Sequence, residues 1–170
     1  SAKAISREDN IAIDTFYVIE SDRKSRSVKD ATMIFEECVK DVLIANTDLN
    51  PVLQSIVKKS SEDIFYKNDN PLAKDFPPQV EAYYEEALDQ IIVEIQSTDH
   101  LGLLYTLSRC VFECGFTITF ARINTERGIA IDTLYLESEE PEADVDEAQL
   151  ESLQESILGT IMRENEPAVS

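Results

Sequence analysis

The heptapeptide Ile11-Ala12-Ile13-Asp14-Thr15-Phe16-Tyr17 recurs as Ile129-Ala130-Ile131-Asp132-Thr133-Leu134-Tyr135, 118 residues downstream (129 − 11), with only Phe16 against Leu134 changed. Ile5 and Ile123 match upstream at the same offset. Downstream, a helical stripe of Ala31, Ile34, Cys38, Val39 and Val42 matches Leu150, Leu153, Ile157, Leu158 and Ile161 at an offset of 119, which places one extra loop residue in the second repeat. So long a spacing marks a duplicated domain rather than a solenoid. Residue 1 aligns with Thr119, and the second repeat owns a further strand and helix before that point. The sequence is therefore read as the trailing half of a first domain over 1–46, a complete second domain over 79–163 and a tail over 164–170. Between the domains, 47–78 holds a short helix at Asn50–Lys59 and a Pro/Asn/Asp-rich linker at Asn68–Pro78.

Within the second repeat, Gln90–Gln96 alternates Ile91, Val93 and Ile95 with Ile92, Glu94 and Gln96, the period of a strand with one face buried. Gln79–Tyr84 is a short strand ahead of it, turned back through Glu85–Asp89 into an antiparallel hairpin. Leu103, Leu104, Leu107, Cys110, Val111 and Cys114 then follow the 3.6-residue period, with Gly115 at the C-terminal cap position. Thr117–Ile123 and Ile129–Glu137 form a second hairpin around the polar loop Asn124–Gly128. A second amphipathic helix spans Asp144 to Met162, with acidic residues in its first turns that favour the helix dipole. The order is strand, strand, helix, strand, strand, helix, with no final strand. A ferredoxin-like βαββαβ unit needs one beside its first strand, and Gln79–Tyr84 fills that edge from the front. The expected fold is α+β, an antiparallel sheet with two helices on one face and its last strand supplied by a permuted N-terminal strand. The strand faces Ile129/Ile131/Thr133/Tyr135 and Ala130/Asp132/Leu134/Leu136 are both largely apolar, so sheet pairing with the other domain or with a second chain is expected.

Charge narrows the partners. Against 34 Asp plus Glu stand 15 Lys plus Arg, a formal charge of −19, which disfavours a phosphate backbone or an anionic membrane surface. No apolar run approaches the ~20 residues of a membrane span and the first residues lack a secretory h-region, so a cytoplasmic location is expected. Cys38, Cys110 and Cys114 are read as buried free thiols: with His100 the single histidine, the four ligands that zinc prefers are not assembled, and neither metal nor cofactor is expected. An enzyme would need a nucleophile and a base, and no triad converges around one histidine.

The most informative stretch is Ser97-Thr98-Asp99-His100-Leu101-Gly102-Leu103-Leu104, which joins the central strand to the first helix. Backbone amides at a helix N-terminus point outward and can receive a carboxylate, and Gly102 has no side chain to block close approach. Asp99 is placed to meet an ammonium, so the pair of features suits a free amino acid. The plainer reading is that Asp99 or Thr98 caps the helix. Asp14 and Asp132, at equivalent strand positions, are read as partners of a turn or backbone group before ligand contacts.

The string Ile92-Val93-Glu94-Ile95-Gln96-Ser97-Thr98-Asp99-His100-Leu101-Gly102-Leu103-Leu104-Tyr105, followed by Ala121-Arg122-Ile123 and Ile131-Asp132-Thr133-Leu134-Tyr135-Leu136, resembles the ACT domain. In detail it is similar to the tandem ACT pair of the bifunctional PII uridylyltransferase/uridylyl-removing enzymes, where the pattern runs as strand, Asp-Arg-Pro-Gly-Leu-Leu-Tyr, helix, Ala-Arg-Ile, then strand. The resemblance covers about 79–162 and, as the back half of a partner domain, 2–45. His100 and Leu101 stand where that family carries Arg and Pro, which removes any anion contact by the Arg side chain. The resemblance implies a regulatory module of nitrogen metabolism that senses an amino acid, glutamine, through Thr98, Asp99, His100, Leu101, Gly102 and Leu103. It also implies docking on the catalytic domains of a parent enzyme and a homodimer through ACT sheets. The Gly-Ser and His-Asp motifs of the nucleotidyltransferase and phosphohydrolase parts are absent, so no catalysis is expected of this chain. The alternative is a structural or dimerisation ACT module of another regulatory protein that binds no ligand.

Overall fold

The computed structural model describes residues 1–6, 11–17, 28–44, 48, 51, 76–139 and 145–165. The helix expected at Asn50–Lys59 and most of the linker lie outside them. In chain order the elements are β1 Ala2–Ser6, β2 Ala12–Phe16, α1 Val28–Leu43, β3 Gln79–Glu85, β4 Gln90–Thr98, α2 Leu103–Glu113, β5 Phe116–Glu126, β6 Ile129–Ser138 and α3 Glu147–Asn165. Two compact units emerge, Ser1–Tyr17 with Asn68–Ser170, and Val18–Lys67. Contacts thus join β1 and β2 to the second repeat, a partition that differs from the boundaries read at residues 46 and 78.

The larger unit is α+β, built on one six-stranded antiparallel sheet in the order β2-β1-β5-β6-β4-β3. Its β3–β4–α2–β5–β6–α3 portion is compatible with a ferredoxin-like unit, with β3 on the edge beside β4 as the permuted order requires. An edge strand leaves alternate backbone groups unpaired. On β3 the Ala82 amide is taken up by Gln154 Oε1 of α3 at 3.1 Å.

One face of the sheet carries the core. Val93, Ile95, Leu134 and Leu136 meet Leu107 and Val111 of α2 and Leu153, Ile157 and Ile161 of α3, all at most 1% exposed. The alternation read for β4 and β6 therefore points its apolar set at the helices. α3 begins two to three residues later than its acidic run indicates, because Asp146 and Gln149 form a reciprocal cap: Asp146 Oδ1 accepts from the Gln149 amide at 2.8 Å and Gln149 Oε1 from the Asp146 amide at 3.0 Å. β5 runs on through Asn124–Glu126, expected as loop, so the hairpin closes in the two residues Arg127 (φ 52) and Gly128 (φ 82). Positive φ at both is what the primed hairpin turns require.

β1 and β5, equivalent strands of the two repeats, pair with each other. Ala2 faces Ile123 and Ile5 faces Phe120. At an offset of 118 Ile123 is the counterpart of Ile5, and Phe120 that of Ala2, so the seam joins corresponding segments of the two repeats, with no residue opposite its own counterpart. The hairpins themselves differ by one residue: Asp132 is opposite Ile123, whereas Asp14 is opposite Ala4 and not Ile5. A one-residue difference turns side chains to the other face.

α1 and α3 also differ. Ile34 is 39% exposed, while its counterpart Leu153 is at 1%, and Cys38, expected to be buried, is exposed while its counterpart Ile157 is at 0%. Ile157→Ala should cost about 2–5 kcal/mol in urea unfolding, as large-to-small core changes do. Ile34→Ala should stay within about 1 kcal/mol. Equal losses at the two positions would contradict this assignment of the core.

Candidate functional site

The turn between β4 and α2 is held from both sides. At the end of β4, Ser97 is fully buried and Thr98 pairs with Ile129 of β6. The Asp99 amide then donates to Gly128 O at 2.9 Å, tying the turn to the β5–β6 hairpin. This contact joins segments that the sequence separates by 29 residues.

His100 and Leu101 are half-buried. The imidazole turns toward the end of α3: Nε2 lies 3.3 Å from Glu164 Oε2, an electrostatic contact without hydrogen-bond geometry, and Nδ1 lies 3.3 Å from Leu101 O. Thr106 Oγ1 donates to the other Glu164 oxygen at 2.8 Å. His100 thus takes part in a polar link between α2 and α3.

Gly102 is the N-cap of α2, with φ 93 in the left-handed region and no side chain capping the helix. The capping role considered for Asp99 or Thr98 is therefore not theirs. A Cβ built on Gly102 meets no atom within 4 Å, so the space beside the glycine is open. The Thr106 amide donates to Gly102 O at 3.0 Å and the Leu103 amide turns back to His100 O at 3.3 Å. Leu103 itself is 3% exposed and belongs to the core, so only its backbone borders the opening. Six residues read from the sequence thus form one turn, in which His100 turns toward α3 and Leu103 belongs to the core.

The residue that sequence reasoning set aside is Asp132. It is 3% exposed on the helix-facing side of β6, among Ala130, Leu134 and Ile95. Its Oδ1 accepts from the Asn124 amide at 3.2 Å, the backbone partner expected for it. Burial nevertheless pushes its carboxyl up to about 6; the Asn124 amide opposes the shift and the Asp99 charge adds to it. The signal available in sequence was an acidic residue in phase with Ala130, Leu134 and Leu136. Among the described residues, no cluster of three or more His, Cys, Asp or Glu side chains is arranged to hold a metal, and no helix is long and apolar enough to cross a membrane. Cys110 is buried, which raises its thiol pKa, and Thr160 Oγ1 lies 3.7 Å from its sulfur. No family model, curated protein or solved structure matches the chain significantly.

The sign of the Asp132 effect follows from linkage. The folded state holds this proton up to about pH 6, while the unfolded chain releases it near 3.8. Stability from this group is complete below pH ~4 and is lost as pH rises through about 6, by up to ~3 kcal/mol at about 1.4 kcal/mol per pH unit. Asp132→Asn should therefore be more stable than the parent at pH 8 and match it near pH 4, as read by urea unfolding across that range. A difference that stays flat from pH 4 to 8 would show that the carboxyl titrates alike in both states.

Proposed function

We propose that this chain is a regulatory, amino-acid-sensing module of ACT type, whose site is the mouth of α2 at Asp99–Leu103. More particularly, we propose the glutamine-sensing C-terminal region of a PII uridylyltransferase/uridylyl-removing enzyme, docking on that enzyme's catalytic domains. The observation that carries the reading is Gly102: a helix N-terminus without a side-chain cap, beside open space, three residues after Asp99, whose charge reaches the buried Asp132 carboxyl. A free amino acid presents an anion and a cation a few bonds apart. The helix end favours the anion through its dipole and outward amides, and the carboxylates favour the ammonium. The permuted ferredoxin-like order and the edge-to-edge seam between equivalent strands support the family part of the reading.

The competing role, a structural module that binds nothing, is favoured by a separate observation: the sheet face turned away from α2 and α3 exposes Ile5 and Ile13. Ligand titration distinguishes the two. Glutamine, within a panel of the common amino acids, should raise the melting midpoint of the chain by several degrees at saturation, since a ligand at about 100 times its Kd adds ~2.7 kcal/mol. Gly102→Arg should abolish that shift while the chain still folds, because a side chain there meets open space and costs only the backbone strain of a positive φ, about 1–2 kcal/mol. Silence across the whole panel would refute the sensing role. An undiminished shift in the variant would move the site elsewhere.

A further inference from the structure

Two side-chain contacts set α2 against α3 as antiparallel neighbours. Thr160 Oγ1 lies 3.7 Å from Cys110 Sγ, and Thr106 Oγ1 donates to Glu164 Oε1 at 2.8 Å. Going back along α2 from Cys110 to Thr106 matches going on along α3 from Thr160 to Glu164, about one helical turn on each. The second contact brings the last turn of α3 to the opening of α2, where His100 stands. Both ring nitrogens of His100 face oxygen: Nδ1 is 3.3 Å from Leu101 O, and Nε2 is 3.3 Å from Glu164 Oε2. Nε2 is closed off from solvent and has no hydrogen-bond partner.

This arrangement distinguishes the two protonation states of the ring. A neutral imidazole carries one N–H and one lone pair, so between two oxygens one nitrogen always turns its lone pair to an acceptor, whereas the imidazolium donates from both. No water reaches Nε2 to mend the mismatch. Protonation makes its contact with Glu164 charge-assisted, and the Glu164 side chain, 34% exposed, is open enough to align with it. Several elements that meet here carry charge. α3 brings Glu164 and Arg163, α2 brings Arg109, β5 brings Glu126, the β5–β6 turn brings Arg127, β6 brings Asp132, and Asp99 is the histidine's own neighbour. Arg163 is turned to Thr160, Arg109 to Glu113 and Glu126 to Asn124, which leaves Glu164 as the carboxylate in contact with the ring among the described residues. The opening of α2 disfavours a cation and the closing end of α3 favours one, so the two helix dipoles oppose each other and the carboxylate decides.

We propose that His100 and Glu164 form a proton-operated clasp, in which the imidazolium ties the turn before α2 to the last turn of α3 and the neutral ring lets the two part. Thr106 holds one oxygen of Glu164 in either state, which keeps the other in place to meet the ring. Glu164 is thus a positioning residue for the mouth of α2, although it lies 64 residues further along the chain than His100 (164 − 100). The clasp closes as pH falls through the range of about 5 to 8 in which histidine side chains change charge, and its contribution is lost as pH rises through that range. Asp132 titrates within the same range and with the same sign, from the β6 side of the turn, so the two effects are separated by removing its carboxyl. The clasp needs no ligand and stands apart from the sensing role. On that role, the same proton sets how firmly the rim of the amino-acid site is held.

Amide hydrogen exchange followed by nuclear magnetic resonance tests the clasp without any ligand, on the full chain carrying Asp132→Asn. Rates are compared at about pH 5.5 and about pH 8, after correction for the intrinsic pH dependence of exchange. The amides of Met162, Arg163 and Glu164 should be about two- to fivefold better protected at the lower pH, the worth of a partly exposed ion pair. Adding His100→Gln or Glu164→Gln should each abolish that pH dependence. Glu164→Gln keeps an oxygen for Thr106 at a partly exposed helix end, so it decides the matter even where His100→Gln fails to fold. His100 is the single histidine, so its Nε2–H resonance needs no assignment. That proton should be visible at the lower pH with Glu164 present and be lost to exchange with water in Glu164→Gln. Protection that does not change with pH overturns the clasp, as does a pH dependence that survives Glu164→Gln or an Nε2–H equally visible without the carboxylate.

Discussion

The backbone pairing of β1 with β5 is the contact on which the rest of the architecture depends. Without it β5 would be the open edge of a four-stranded sheet, with a row of unmatched amides and carbonyls that another chain could add to. With it, residues 2–5 are bound to residues 120–123, and corresponding strands of the two repeats lie side by side, antiparallel. Across this seam Ile5 and Lys3 come into register with Phe120 and Arg122, and Ile13 with Ile5, on the face turned away from α2 and α3. Ala4, half-buried against the core, extends the helix-covered side across the same seam.

The candidate site rests on a different kind of tie. The turn before α2 is fixed by a backbone bond from Asp99 to Gly128, and Gly128 is itself fixed by the two-residue hairpin turn that it shares with Arg127. The mouth of the helix and the β5–β6 hairpin are therefore tied to each other. Asp132, two residues into the buried phase of β6 from Ala130, stands close enough to feel Asp99, whose charge adds to the upward shift that burial gives the Asp132 carboxyl. A cation placed between them would relieve a cost that burial and the Asp99 charge impose together. That is the physical content of reading this corner as a receptor for an ammonium, and it rests on residues that the fold must already place there.

Much of the second repeat was legible because its strands alternate cleanly and its helices repeat every 3.6 residues. Gln90–Gln96 and Ile129–Glu137 were placed to within two residues, and the edge position of Gln79–Tyr84 followed from counting strands against a known layout. Periodicity reports only local geometry, and the misses are of another kind. Asn124–Glu126 looks like loop by composition, yet pairing with β6 extends it as strand. The start of α3 is set by the Asp146–Gln149 cap, three residues apart within an acidic run that gives no contrast. Asp132 reads as the partner of a turn or backbone group, which the Asn124 amide bears out, but its nearness to Asp99 emerges only in the fold. Cys38 sits on an apolar stripe matched to that of α3, but a stripe states only which side of a helix is apolar, not whether anything covers it. The six-strand register includes pairings between residues more than a hundred positions apart, which no window on the sequence contains.

The β1–β5 seam is directly measurable by nuclear magnetic resonance on the isotopically labelled chain. Cross-strand Overhauser contacts should link the backbone of residues 2–5 to that of residues 120–123 in the order Ala2 with Ile123 and Ile5 with Phe120, and the amides bonded across the seam should exchange slowly with solvent. Free exchange of the β1 amides, together with a β5 that shows contacts to β6 alone, would contradict the six-stranded sheet and everything built on it.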